Sequence, residues 1–304
     1  MHIPDGFLST PVWVAAGAIS LPSVAFYARK AQVALDEGRI PLMGVMGAFV
    51  FAAQMINFPV GVGTSGHLVG GALLAVTLGP AAAALVMTAI LTVQALLFQD
   101  GGVLALGANV FNMAIAGVLA GYLPYSYWGS GSRRRAAIFA GGFLSVFTSA
   151  CLAMAQLVLS GVPIPAALAG VSLALFVVSA LIEGAITVAV VSSLQRLNNG
   201  WMRKSEAAGR PRLAFVLVAA CLIGSVGALF ASSMPDGFEK LSEQLGIAAR
   251  AWNLFETPLM DYEARFLQPE WLRKSFAGLV GLGLIYAIFL GLGRTRRGRL
   301  SRSG

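Results

Sequence analysis

Long apolar segments constrain this chain more than any other feature. Nine can be drawn along its 304 residues, at about Val12–Ala28, Ile40–Asn57, His67–Leu78, Ala81–Phe98, Gly107–Tyr127, Ala136–Ser160, Ala166–Leu194, Leu213–Ala231 and Ser275–Leu292. A helix needs about 20 apolar residues to cross a bilayer, and in lipid each backbone polar group must be satisfied within the segment. The expected fold class is an all-α membrane protein. Charged residues make up 11% of the chain, against about a quarter in soluble domains. The ten-residue alternation of a membrane β-barrel is absent. The third segment is too short to span, and Gly79-Pro80 breaks it from the fourth. Broken helices are tolerated at depth only where protein or a water-filled cavity covers the backbone, which singles out the region around His67.

The net charge of +8 is read through the positive-inside rule and not as a nucleic-acid footprint. Arg29, Lys30 and Arg39 follow the first segment, and Arg133–Arg135 the fifth. Arg196, Arg203, Lys204, Arg210 and Arg212 follow the seventh, and Arg294, Arg296, Arg297, Arg299 and Arg302 the ninth. Nine alternating spans put all four clusters on one side, so the N-terminus is expected outside and the C-terminus in the cytoplasm. The opening MHIPDGFLST is neither basic nor apolar enough for a secretory signal. Residues 1–200 read as one transmembrane domain with short loops, 201–212 as a cytoplasmic linker, and 213–304 as two spans around a long outer loop. Cys151 and Cys221 sit inside apolar runs as packing residues.

The chain has two histidines, and one is residue 2. A free α-amine, the next amide nitrogen and the His2 imidazole lie close enough along the chain to close a five- and a six-membered chelate ring. The nitrogens must be free of protons to bind, and a strong metal also displaces the amide proton. Three coplanar nitrogens leave one corner of a square, a geometry that suits nickel(II) or copper(II). His67 is the natural fourth nitrogen. The large second residue is expected to protect Met1 from removal. The residues alone leave a second reading open: His2 as an interfacial side chain of a loose tail, and His67 as a hydrogen-bonded histidine between helices.

MHIPDGFLS at the terminus and GVGTSGHLVGGALLAVTLGP at 61–80 resemble the signatures of the CbiM/NikM family, the substrate-capture subunits of energy-coupling-factor (ECF) transporters for cobalt and nickel. The resemblance covers residues 1 to about 200. It implies a seven-helix S-component bundle whose outward N-terminus inserts into the bundle. It also implies that the metal is held by Met1 (amine), His2 (amide and imidazole) and His67 (imidazole). ASSMPDGFEKLSEQLG at 231–246, with PLMDY at 258–262, resembles the small two-span N subunit of these systems and its PDGLE-like stretch, Phe238 standing where leucine is usual. Fusion of the two fixes their ratio and raises their effective concentration for each other. The implied substrate is cobalt(II) or nickel(II), with no catalytic cofactor. The implied partners are a transmembrane coupling (T/Q) subunit and ATPase (A/O) subunits, with membrane lipid around them in a bacterial inner membrane. No GK[ST]-ending phosphate loop is present, so ATP hydrolysis is left to those partners.

Other polar residues have two readings each. Asp5, in the IPDGF turn, either holds the inserted loop or simply makes a turn. Asn57, Thr64, Ser65, Asn109 and Asn112 either orient His67 and close the loop or cap helix ends. Glu183, deep in the seventh segment, needs a partner and lies either on the metal route or in helix packing. Gly66/Gly70 and Gly117/Gly121 are small-residue packing pairs. Two rival functions remain at this level. A stand-alone channel or secondary transporter would move metal without partners. A membrane metalloenzyme would need an open coordination position and a general base, and no carboxylate adjoins the histidines in sequence.

Overall fold

A computed structural model describes residues 1–34, 39–61, 63–197, 210–227, 232 and 234–300. Helices dominate: α1 (Thr10–Ala34), α2 (Ile40–Gln54), α3 (Gly71–Leu78), α4 (Pro80–Phe98), α5 (Leu106–Trp128), α6 (Arg134–Leu159), α7 (Ala166–Leu197), α8 (Arg210–Ser225), the short α9 (Gly237–Gln244) and α10 (Glu270–Leu300). Each expected span has a helical counterpart. Six described helices are long and apolar enough to cross a membrane, while α2 and the apolar part of α8 are shorter. The linker expected at 201–212 lies almost wholly outside the described residues.

The third span departs from expectation in two ways. It is an eight-residue helix with every residue buried, and His67 is not part of it. His67 ends strand β2 (Thr64–His67), which pairs antiparallel with β1 (Asn57–Gly61), Asn57 lying opposite His67. An all-α reading therefore fails at this one hairpin. Apolar composition alone cannot separate a short strand from the first turn of a helix. The deciding contact comes from far along the chain: the Glu183 carboxylate on α7 accepts the Val69 and Gly70 N–H groups at 2.8 Å each. Helix α3 thus starts at Gly71, after Gly70 in a left-handed turn (φ +78°) against Val50.

The core lies among α2, α3, α4, α5 and α6, where Met46, Phe51, Leu73, Met87, Met113 and Leu157 are fully buried. Helices α8 and α10 both pack on α2, and α10 also reaches α4. The approach is close: a Cβ at Gly278 would stand 2.4 Å from the Gly224 carbonyl oxygen. Between these helices, α9 packs against α7 and strand β2.

Candidate metal centre

The first residues run inward as a loop whose backbone is tied to residues 100–109. Asp5 accepts from Val103 N–H and Ala105 N–H, both at 2.9 Å. Asn109 accepts from Ile3 N–H at 2.9 Å and donates to its carbonyl at 3.1 Å. Gly102 N–H donates to the same carbonyl at 2.8 Å. A side chain at Gly102 would overlap the Asp5 carboxylate, so only glycine lets the strands approach this closely. Of the polar residues singled out in sequence, Asp5 and Asn109 hold the inserted loop.

The loop delivers the terminus to the β-hairpin. The Met1 amino nitrogen lies 3.5 Å from His67 Nε2, and the His2 and His67 rings are 5.6 Å apart and within 10° of parallel. His67 Nδ1 lies 3.0 Å from the Leu68 carbonyl, a contact that leaves Nε2 facing the terminus. Met1, His2 and His67 therefore meet in one place.

The other singled-out residues are elsewhere. Thr64 donates to the Gly61 carbonyl at 2.5 Å and closes the hairpin turn. Ser65 turns away from His67: its hydroxyl donates to the Met234 carbonyl at 2.7 Å and its N–H to the Pro235 carbonyl at 2.8 Å. Asn57 lines the cavity beside His67, and its carbonyl accepts from Ser232 N–H. Asn112 exchanges two amide hydrogen bonds with Gln156, between α5 and α6, so its role is helix packing and it takes no part in closing the loop. Glu183 acts two residues from His67, by fixing the backbone at Val69 and Gly70.

Two carboxylates that sequence adjacency could not place complete the centre. His2 Nδ1 lies 2.8 Å from Asp100 Oδ1, and Asp100 Oδ2 accepts from the Tyr262 hydroxyl at 2.6 Å. His2 Nε2 is buried with no partner among the described residues. Asp236 Oδ2 lies 2.5 Å from the Met1 amine and 3.8 Å from His67 Nε2. Its other oxygen caps α9 at Phe238 and Glu239, while Glu239 reaches back to the Asp236 N–H, a capping box. The D-x-x-E spacing of DGFE is the sequence signal that could have found this helix start.

These contacts set the charges. Burial, then the neighbouring ammonium and His2, hold His67 down at about 4, so its imidazole is neutral. Burial pushes Asp236 up, but the ammonium and His67 outweigh it and leave the carboxyl at about 2. Desolvation raises Asp100, whose side chain is partly exposed, but His2 and the Tyr262 hydroxyl outweigh it and hold the carboxyl well below the usual carboxylate range. A cavity of about 280 Å³ opens onto the centre, lined by His2, His67, Asp100, Asp236, Glu239 and Tyr262 among others. The arrangement offers neutral and potential nitrogen donors beside two carboxylates, reached by a small polar cavity.

Residues 2–201 match the family described as the cobalt uptake substrate-specific transmembrane region, CbiM, and residues 210–298 match the PDGLE domain. The chain is 36% identical over 303 residues to the putative fused nickel transport protein NikMN of Archaeoglobus fulgidus, covering 98% of this chain and 99% of that one. It is 28% identical across the whole length of the fused nickel transport protein NikMN of Rhodobacter capsulatus. The crystal structure of a truncated transition metal transporter, 34% identical, superposes with a TM-score of 0.57 over 65% of this chain and 99% of that one.

Proposed function

We propose, from the premise that this chain belongs to the CbiM family and carries a PDGLE domain behind it, that it is the metal-capture component of an ECF importer for nickel(II) or cobalt(II). Related fused chains are named as nickel transport proteins, and transport, not catalysis, is the activity. In this reading α1–α7 form the capture bundle and α8 with α10 the two-span N-subunit hairpin, joined through residues 201–212. The basic clusters place the N-terminus outside and the C-terminus in the cytoplasm. A coupling subunit and ATPase subunits supply the energy, because the chain has no phosphate loop.

The observation that carries the reading is the meeting of the Met1 amine with His67 Nε2 at 3.5 Å, across 66 residues of sequence. Two nitrogens each about 2 Å from one ion stand about 3 Å apart in adjacent corners of a square and about 4 Å apart in opposite corners. In the chelate order amine, amide, His2 imidazole, the vacant corner lies opposite the amide and beside both the amine and the imidazole, and the closeness of His67 Nε2 to the amine supports His67 as its occupant. His2 must turn about Cβ–Cγ to bring Nδ1 from Asp100 to the ion. Four nitrogens in a plane are a donor set for nickel(II), and cobalt(II) accepts the same atoms. Asp5, Asn109 and Glu183 fix the loop and the hairpin that carry these donors.

Nickel titration of the purified chain and of His67→Ala tests the site. The variant is expected to lose at least about tenfold in affinity, or about 1.4 kcal/mol. Equal affinity would move the fourth ligand elsewhere. Metal flux into liposomes by this chain alone, without partners, would favour a channel or secondary transporter over an importer subunit.

A further inference from the structure

Residues 250–266, between α8 and α10, keep large apolar side chains on the surface. The chain is exposed without a break from Ala251 to Glu256, and Trp252, Leu254 and Phe255 are 46%, 53% and 40% exposed. Phe266, further on, is 62% exposed. Single exposed apolar residues are ordinary, but a contiguous apolar strip marks a contact surface. We propose that this strip and Phe266 dock into the headgroup layer of the outer leaflet, on zwitterionic phospholipid, and that the bilayer surface thereby steadies the segment covering the N-terminal loop. The leaflet rests on the reading of the N-terminus as outside; the docking itself does not depend on that, nor on which residues bind metal.

Two sets of contacts fix the depth of these side chains. Near α4, the Thr257 hydroxyl donates to the Leu97 carbonyl at 2.5 Å, and the Gln99 amide donates to the Phe255 carbonyl. Leu97 belongs to the last turn of a span, and its neighbour Leu96 is 40% exposed. Phe255 therefore stands level with the end of a helix that faces lipid. Near α10, the Phe266 ring meets the Phe276 ring edge-on at 5.8 Å. Phe276 lies six residues into α10, about 9 Å along its axis. Phe276 and Leu279 are exposed within that span, so Phe266 lies back along a lipid-facing surface. Both stretches thus continue faces that lipid covers, at the level where aromatic rings favour the membrane–water interface. Charge decides the lipid class. Residues 250–266 hold two basic side chains, Arg250 and Arg265, against three acidic ones, Glu256, Asp261 and Glu263. Anionic headgroups attract basic segments, and this balance gives them no hold. Backbone joins the strip to the N-terminal loop: Trp252 N–H donates to the Asp5 carbonyl at 3.3 Å, and a Cβ at Gly6 would overlap the Arg250 carbonyl. Lipid contact at Leu254 and Phe255 therefore holds a stretch that lies directly on the Asp5-Gly6 turn.

The test uses the full chain in phosphatidylcholine nanodiscs. On a background of Cys151→Ala and Cys221→Ala, the variants Leu254→Cys, Phe266→Cys and Glu243→Cys each carry a nitroxide label. Glu243, 52% exposed on α9, is the aqueous reference. Power saturation compares collision with oxygen, which concentrates in lipid, and with chromium oxalate, which stays in water. The ratio of chromium oxalate to oxygen accessibility is expected to be lower at 254 and 266 than at 243 by at least about fivefold. Equal ratios at the three positions overturn the docking. So does shielding of 254 and 266 from both reagents, which would mean that a second protein chain covers the strip. Adding phosphatidylglycerol to the nanodiscs is expected to leave the ratios unchanged, and a clear fall would overturn the zwitterionic assignment. Unlabelled Leu254→Ser/Phe255→Ser is then compared with the unaltered chain in the same nanodiscs. Hydrogen exchange across residues 250–257 is expected to be faster by at least about fivefold, and equal rates would overturn the claim that the bilayer steadies this segment.

Discussion

Two segments meet at the terminal amine, and they hold it by different means. The loop of residues 1–7 is seated on residues 100–109 by neutral backbone groups and two short polar side chains, with Asp5 and Asn109 each making two bonds. Residues 234–262 of the second part reach the same centre through Asp236 on Met1 and Tyr262 on Asp100, beside one backbone bond from Trp252 N–H to the Asp5 carbonyl at 3.3 Å. The first set satisfies buried backbone groups. The second set depends on the charge state of what it touches. The seat consists mostly of bonds to backbone groups, and the cover adds charged contacts.

Variants in the seat sharpen this contrast most. Glu183→Ala leaves two buried N–H groups, Val69 and Gly70, without their acceptor. A loss of about 3 kcal/mol is expected, read as a lower unfolding temperature in detergent, with metal affinity falling too because His67 loses its anchor. Asp5→Ala removes the acceptor for Val103 and Ala105. A loss of about 2 kcal/mol is expected, with faster hydrogen exchange in residues 1–8.

A variant in the cover is expected to behave differently. Phe238 is 1% exposed and packs against the Phe7 ring. Phe238→Ala is expected to raise hydrogen exchange across 234–250, with a smaller rise near Phe7, and to shift global unfolding by less than about 1 kcal/mol if that segment opens locally before the global step. A drop as large as that of Asp5→Ala would show that seat and cover unfold as one unit.

The smallest effect separates the two by pH. His67 sits at about 4 in the folded protein, against an ordinary 6.5. The unfolded chain then binds more protons between those values, so stability rises with pH across about 4 to 6.5. His67→Gln is expected to flatten that part of the empty protein's profile of unfolding temperature against pH. Asp236, held at about 2, contributes stability above its ordinary value near 4 that is lost as pH falls towards 2, so Asp236→Asn is expected to change the profile only below about pH 4.

Hydropathy made the helices legible, since burial in lipid demands long apolar runs whatever the tertiary contacts. The Met1–His2–His67 meeting was legible because an amine and an imidazole on two consecutive residues invite a chelate reading and the chain has only one other histidine. The β-hairpin was not, because the Glu183 carboxylate that delays the start of α3 to Gly71 lies 113 residues from Gly70. Ser65 and Asn112 were misplaced for the same reason: their partners, Met234 and Gln156, sit on other elements. Asp100 and Asp236 were hidden as neighbours of the histidines, since only folding brings an aspartate 235 positions away onto the amine.

The central claim is that the chain's own terminus is a metal ligand. One alanine inserted between Met1 and His2 tests it most directly, because the insertion enlarges the chelate and displaces the imidazole while leaving every other residue in place. Calorimetric nickel titration is expected to show affinity at least about a hundredfold lower, near 2.7 kcal/mol, with an unchanged unfolding temperature for the empty protein. Nickel binding by the insertion variant at the affinity of the unaltered chain would contradict it.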